Sequence, residues 1–83
     1  MNRDEVLDEL ARNKPTLVAR YGVDRLALFG STVRDAARAD SDIDILVSFN
    51  GPATSERFFG VQFFLEDLLG RPVDLVKIGR AHV

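Results

Sequence analysis

Two aspartates separated by a single residue are the side chains in this sequence best suited, by type and spacing, to chemistry. Asp42 and Asp44 open the segment 42–49, which is rich in β-branched residues and therefore predicts a strand. Residues two apart in a strand point to the same face, so the two carboxylates would stand about 7 Å apart at the backbone. Such like charges repel and raise each other's pKa, whereas a divalent cation with a preference for hard oxygen ligands removes that penalty. On its own, the pair is more typical of a solvated turn than of a metal site.

A third aspartate and a glycine-serine pair are candidates to complete a site around this acidic pair. Asp74 lies near the start of another strand candidate, 73–77, and Gly30-Ser31 ends the apolar run 26–29. A glycine at a strand end lets backbone approach a ligand closely, and a helix that starts there offers free N–H groups to a phosphate. Alone, Gly-Ser is an ordinary strand-to-helix turn. The sequence contains no Gly-Lys-Ser/Thr phosphate loop and no Gly-x-Gly-x-x-Gly, so neither of those nucleotide folds has support.

The elements that must position these residues begin with an N-terminal helix. Asn2 and Glu5 have the spacing of a capping box, and apolar residues then recur at helical period. Pro15 removes one backbone hydrogen bond, so we expect a kink or a break near residues 12–14. Gly22 is a natural stop for this helix.

Strands and helices then alternate along the chain. Ser31 is placed to cap a short helix at 32–37, and Thr54 or Ser55 starts a longer helix that ends at Gly70. With the three strand candidates, the order is α-β-α-β-α-β. This order predicts an α/β (α+β) domain in which helices flank a small three-stranded mixed sheet.

Composition narrows the class of protein. The 83 residues suffice for one small domain, and the 11 Lys and Arg, scattered among 13 Asp and Glu without a basic run, argue against nucleic acid as the main partner. The absence of cysteine excludes disulfides and thiolate zinc sites. Apolar runs stay far below the roughly 20 residues that a bilayer span needs. We therefore expect a cytoplasmic protein with no membrane partner.

Aromatic residues cluster on the longer helix, at Phe58, Phe59, Phe63 and Phe64. Core packing is the default interpretation, yet four phenylalanines exceed what one helix face needs, so the outward ones are a candidate partner surface. The single histidine, His82, lies one residue from the end of the sequence and is expected to carry no function.

Three motif blocks, in order, make the chain resemble the minimal nucleotidyltransferase (MNT) family of the DNA polymerase β-like superfamily. They are Phe29-Gly30-Ser31-Thr32-Val33-Arg34, Ser41-Asp42-Ile43-Asp44-Ile45-Leu46-Val47 and Pro72-Val73-Asp74-Leu75-Val76. The spacing between the blocks is intact, and the resemblance extends from Asn2 to about Lys77. The superfamily often has glycine where this chain has Asp35, a departure that bears on the local helix geometry rather than on the metal site.

The resemblance implies a metal-dependent nucleotidyl transfer from ATP. By similarity, Asp42 and Asp44 bridge two Mg²⁺ ions, or Mn²⁺, while Asp74 binds the metal on the attacking side and helps to activate the acceptor hydroxyl. The nucleotide-binding residues that it implies are Gly30, Ser31, Arg34 and Ser41. The first two hold the triphosphate, and Arg34 is equally well explained as a solvated arginine.

The resemblance also implies a partner, with two alternatives. MNT proteins of this length look like the antitoxin of HEPN/MNT toxin–antitoxin pairs, in which the MNT protein uses ATP to adenylylate a tyrosine of the HEPN ribonuclease toxin. The first alternative is a small-molecule nucleotidyltransferase of the aminoglycoside-modifying kind, which normally needs a second substrate-binding domain that 83 residues cannot contain. The second is a non-catalytic MNT-fold module that neutralises its partner by binding, as an oligomer with it.

The last six residues, 78–83, depart from the family pattern, because MNT relatives usually continue into a further helix after the third strand. Their sequence, Ile-Gly-Arg-Ala-His-Val, is also encoded by one frame of a widely used sequencing adapter. We therefore expect a nucleotidyltransferase domain at 1–77, a non-native tail at 78–83 and a natural chain that is truncated here at its C-terminus.

Overall fold

Residues 2–33 and 42–79 are described by the computed structural model, and they form two helices and a three-stranded sheet. The helices are α1 (Arg3–Tyr21) and α2 (Ser55–Leu69), and the strands are β1 (Val23–Leu28), β2 (Ile43–Phe49) and β3 (Val73–Lys77). This arrangement confirms the predicted fold class. No helix in the described ranges is long and apolar enough to cross a membrane.

One predicted element differs. In place of the start of the helix expected at 32–37, the chain forms a short 3₁₀ turn, Gly30–Val33, which begins two residues earlier. Residues 34–37 lie outside the described residues. The 3₁₀ geometry suits a connection in which Gly30 adopts a positive φ of 62° and Thr32 turns inward, because the tighter coil accommodates short pieces of chain.

Helix α1 begins with the predicted capping box. Asn2 Oδ1 accepts from the Glu5 N–H at 2.8 Å, and the Glu5 carboxylate accepts from the Asn2 N–H at 2.8 Å. The chain stays helical through Pro15, so of the kink or break predicted near residues 12–14 the break does not occur, and the kink stays a prediction. Leu10 and Leu17 lie on either side of the proline, two turns apart, and both are buried. Their burial, worth about 1.5–3 kcal/mol each, requires both halves of the helix to stay against the core and offsets the lost hydrogen bond.

Helix α2 has local start and stop signals where the sequence predicts them. Thr54 Oγ1 caps it by accepting from the Arg57 N–H at 3.2 Å, and Gly70 ends it in the left-handed conformation. The buried positions, Val61, Leu65 and Leu69, recur every four residues along one side.

The sheet has the order β1-β2-β3 and is mixed. β1 and β2 are antiparallel, whereas β2 and β3 are parallel and are joined by α2 as the crossover helix. The parallel register places Ile43 beside Val73 and Asp44 beside Asp74. Strands β2 and β3 therefore start at the same edge of the sheet.

A single core lies between the helices and one face of the sheet. Ile43, Ile45 and Val47, which alternate along β2, are fully buried on that face. The buried core residues are Val6, Leu10, Leu17, Val23, Ile43, Ile45, Val47, Phe49, Val61, Leu65, Leu69, Val73 and Leu75. The opposite face carries the intervening residues of β2 and β3, among them Asp44 and Asp74.

The predicted tail begins directly after β3. The Ile78 N–H donates to the Val47 carbonyl at 2.8 Å, so the chain still contacts the sheet at this residue. Residues 80–83 lie outside the described residues, and the division at residue 77 stays a prediction.

Candidate active site

Two of the three predicted aspartates stand side by side. Asp44 and Asp74 are partners in the parallel register of β2 and β3, and register partners on adjacent strands lie about 4.8 Å apart and point to the same face. Asp42 lies immediately before β2 and is close enough for its charge to act on Asp44. The sheet thus brings all three carboxylates to the edge at which β2 and β3 start.

The ionisation of Asp44 reflects this crowding. Partial burial raises the pKa of Asp44 above its ordinary value, and the negative charges of Asp74 and Asp42 raise that pKa further. A hydrogen bond from the Thr32 side chain acts in the opposite direction. The charged form of Asp44 is therefore less stable than that of an isolated aspartate, and a cation bound nearby would stabilise it.

Thr32 positions Asp44 through a buried hydroxyl that the sequence analysis did not single out. Its side chain is only 2% exposed, and its Oγ1 accepts from the Asp44 N–H at 2.9 Å. On the other side of the same residue, the Asp44 carbonyl accepts from the Phe29 N–H at 3.0 Å. The only sequence signal for this role was the place of Thr32 directly after Gly30-Ser31, within the first motif block.

Gly30 lies directly against the Asp44 carboxylate. A Cβ added at Gly30 would stand 2.6 Å from Asp44 Oδ2, and the φ of 62° is one that L side chains rarely adopt. Both facts favour glycine at this position. Gly30 thus brings the backbone close to the Asp44 carboxylate, while its close approach to a ligand stays a prediction.

The start of β3 is held by two side chains of α2 that sequence reasoning also missed. Gln62 Nε2 donates to the Val73 carbonyl at 3.3 Å, and the Glu66 carboxylate accepts from the Val73 N–H at 3.0 Å. Val73 directly precedes Asp74, so this pair fixes the backbone from which Asp74 projects. The available signal was a polar pair four residues apart on an otherwise apolar side of the helix.

We call the edge that carries Asp42, Asp44 and Asp74 the acidic edge. The oxygen ligands that it offers suit a hard divalent cation. All three candidate ligands are carboxylates, which Mg²⁺ and Mn²⁺ both favour. Within residues 2–33 and 42–79, however, no three acidic, histidine or cysteine side chains are arranged as a group that could hold a metal ion. Asp42 and Asp74 are exposed, so their side chains are free to turn towards an ion. These residues are of the type that binds such ions, and their backbones lie at the same edge of the sheet. Their side chains do not form a complete set of metal ligands.

The remaining predicted site residues contribute less to this description. Ser31 lies in the 3₁₀ turn beside Gly30. Arg34, Ser41 and His82 lie outside the described residues, so their predicted roles, or lack of one, stay predictions.

Comparisons with known proteins extend over most of the chain. Residues 4–83 match the family described as the nucleotidyltransferase domain. The protein adenylyltransferase MntA of Thermococcus cleftensis is 42% identical over 73 residues, which are 88% of this chain and 74% of that protein. A Methanocaldococcus jannaschii protein, provisionally named a protein adenylyltransferase, is 43% identical over 75 residues, 90% of this chain and 76% of its own. A solved structure, provisionally described as a minimal nucleotidyltransferase, is similar with a TM-score of 0.68 and 39% identity, covering 87% of this chain and 76% of that chain.

Proposed function

Since the chain belongs to the nucleotidyltransferase domain family and is a nucleotidyltransferase, we propose that it transfers AMP from ATP to a hydroxyl group of a partner protein. The observation that carries the proposal is the pairing of Asp44 with Asp74 at the edge where Asp42 and the Gly30 turn also lie. The two relatives named as protein adenylyltransferases, each more than 40% identical to this chain, support a protein as the acceptor.

Each part of the acidic edge has a role in this reaction. Asp42, Asp44 and Asp74 would hold divalent ions, Mg²⁺ or Mn²⁺, and Asp74 would also help to activate the acceptor hydroxyl. Bound there, such ions would supply positive charge that stabilises the negative charge developing on the phosphate oxygens. The turn at Gly30 and Ser31 presents backbone N–H groups to the phosphates, and Arg34 and Ser41 are further contacts to the nucleotide.

Hydrogen bonds to the backbone at and next to the aspartates keep the carboxylates in place during the reaction. Thr32 fixes the backbone of Asp44, while Gln62 and Glu66 fix the backbone directly before Asp74. Positioning of this kind accounts for much of the rate of phosphoryl-type transfers, because the protein contributes little covalent chemistry.

The acceptor that we propose is a tyrosine of a HEPN ribonuclease toxin, which adenylylation silences, so that the chain acts as the antitoxin. This step rests on the resemblance of the three motif blocks to MNT antitoxins. A phenolic hydroxyl suits the site, because a carboxylate such as Asp74 is able to accept its proton. The phenolic oxygen then forms a bond to the α-phosphorus of ATP, the bond from that phosphorus to the α–β bridging oxygen breaks, and pyrophosphate leaves.

The test begins with the open reading frame next to that of this chain: a HEPN protein encoded there is incubated with the chain and α-labelled ATP, and a neighbour of another kind would count against this acceptor. We expect label on the HEPN protein with the wild-type chain and none with Asp44→Asn. Asp8→Asn, which removes an exposed carboxylate of α1 paired with Arg12, is the matched control and should label normally. Absence of label with a folded wild-type protein, or equal labelling by Asp44→Asn, would falsify the proposal.

A second readout distinguishes AMP transfer to the toxin from neutralisation of the toxin by binding alone. Asp42→Asn and Asp44→Asn should both fail to rescue growth of cells that express the HEPN protein. Rescue by both variants would show that binding suffices.

A further inference from the structure

Exposed aromatic side chains form a stripe along the outer side of α2. Phe59 and Phe63 lie one turn apart, are 50% and 64% exposed, and stack with ring centroids 6.4 Å apart and planes 28° apart. Exposed acidic residues precede and follow them at the same helical spacing. We call these four residues the outer stripe: Glu56, Phe59, Phe63 and Asp67.

The outer stripe is not used by the core of this domain. The core side of α2 is formed by Val61, Leu65 and Leu69, on the opposite side of the helix. Towards α1, the contact is made by Phe64, which packs edge-on against Tyr21 at 6.3 Å. The stripe therefore keeps two large rings in water, an arrangement that is typical of an interaction surface when the rings form one patch.

The charges at the two ends of the stripe restrict what can cover it. Glu56 lies one turn before Phe59, and Asp67 one turn after Phe63. Neither carboxylate forms a salt bridge with another described residue. An apolar centre with an exposed carboxylate at each end is complementary to an apolar surface with a basic residue at each end.

The same charges argue against three other occupants. A second copy of this chain packed through the stripe would bring acids against acids, whether the two helices ran parallel or antiparallel. Anionic lipid and nucleic acid would be repelled as well. A protein surface with flanking Lys or Arg is the occupant that remains.

We propose that the outer stripe docks a helix of the acceptor protein, one with an apolar stripe at helical spacing and a basic residue at each end. That the docked protein is also the acceptor rests on the proposed function. The docked element is a helix because two rings one turn apart present a ridge that fits the groove between two turns of a facing helix.

The position of α2 fits a docking surface that is separate from the nucleotide site. The helix packs on the core face of the sheet, whereas Asp44 and Asp74 project from the other face. Yet α2 ends at Leu69, only a few residues before β3 starts at the acidic edge. The end of the stripe at Asp67 thus lies six residues before Val73, the residue that directly precedes Asp74.

The first experiment uses two designed helical peptides of about 16 residues as probes. Both carry leucines at positions i, i+3, i+4 and i+7, one with lysines at the ends of the stripe and the other with glutamates. At low salt, fluorescence anisotropy should give a Kd at least about fivefold lower for the lysine peptide, because two exposed ion pairs replace two repulsions. Equal affinities for the two peptides would overturn the proposal.

Two matched variants tie this binding to the stripe. Phe59→Ala with Phe63→Ala should abolish binding of the lysine peptide. Leu7→Ala with Val18→Ala, which removes two other exposed apolar side chains, should leave it unchanged. An equal loss in both double variants would contradict the assignment, as would a homodimer in sedimentation that only the phenylalanine variant dissociates.

A charge reversal gives the sharpest result, because it predicts a gain. Glu56→Lys with Asp67→Lys should bind the glutamate peptide more tightly than the lysine peptide, and unchanged preference would reject the charge argument. If the HEPN protein is labelled, the phenylalanine double variant should raise its KM without changing the KM for ATP. If no protein is labelled while the peptide results hold, the proposed function fails and the docking surface stands.

Discussion

The two faces of β2 have opposite effects on the domain. Ile43, Ile45 and Val47 point into the core and are fully buried. Asp44, between them, points to the other face, where its charged form is disfavoured by partial burial and by two neighbouring carboxylates. One strand with a period of two residues thus carries side chains that stabilise the fold and a side chain that works against it.

This difference is typical of a site in which a bound cation compensates the repulsion between the carboxylates. Carboxylates that repel each other in the free protein are the groups that gain most when a cation binds among them. Substitutions on the core face should therefore lower stability, whereas removal of a carboxylate on the other face should lower activity and raise stability in the absence of metal.

The largest effect is expected for Asp44→Asn. We expect AMP transfer to fall by about a thousandfold or more, because several kcal/mol of charge stabilisation depend on this carboxylate and each 1.36 kcal/mol is a factor of ten in rate. In metal-free buffer at neutral pH, the same variant should unfold at a higher temperature than the wild type. Transfer assays and thermal unfolding by circular dichroism check the two halves, and a destabilised Asp44→Asn would contradict the comparison.

The opposite pattern is expected one residue further along β2. Ile45→Ala should lower the free energy of unfolding by about 2–5 kcal/mol, since it leaves a cavity at a fully buried position. The control is Leu46→Ala on the other face, where the side chain is only partly buried and the loss should be clearly smaller. Urea titrations measure both, and equal losses would show that the two faces do not differ as described.

The predictable parts of this fold are those whose signals are local. The capping box of Asn2 and Glu5, the stop at Gly70 and the alternation along β2 each depend on residues a few positions apart, and all were predicted. The break that was one of the two outcomes predicted near residues 12–14 does not occur, because the burial of residues on both sides of Pro15 outweighs a local defect. Propensity is a weak guide wherever tertiary packing acts on the same residues.

The site depends on longer-range relations. That Asp74 pairs with Asp44 follows from the register that α2 imposes on β3, and spacing alone does not determine a register. The pairing itself was not predicted; its place near the start of a strand and the resemblance to known motif blocks predicted only that Asp74 joins Asp42 and Asp44 in one cluster. Thr32 and Glu66 were missed, because their roles consist of hydrogen bonds to backbone 12 and 7 residues away, which no periodic pattern encodes.

A smaller effect is expected at Thr32, which links the 3₁₀ turn to the acidic edge. Thr32→Val keeps the shape but leaves the Asp44 N–H without its acceptor, at a cost of about 1–3 kcal/mol in stability. Because the carboxylate is then poorly held, transfer should fall about 10–100-fold, as for partners that orient metal ligands. Thr32→Ser retains the hydroxyl and should recover most of the transfer rate. A serine variant as impaired as the valine variant would show that packing, not the hydrogen bond, is what matters.

The smallest effect concerns the pH dependence of stability, and its sign follows from the raised pKa of Asp44. Above the unfolded pKa of about 3.8, the folded state binds a proton at Asp44 more tightly than the unfolded state does. The free energy of unfolding should therefore fall as pH rises from there through the folded pKa, and then level off. In metal-free buffer, the melting temperature of Asp44→Asn minus that of the wild type should accordingly grow with pH and reach a plateau. Saturating Mg²⁺ at neutral pH should raise the wild-type melting temperature and narrow that gap, since an ion that binds only the folded state stabilises it. A gap that stays constant from pH 4 to 7 would mean that the charge of Asp44 is not what opposes folding on this face of β2.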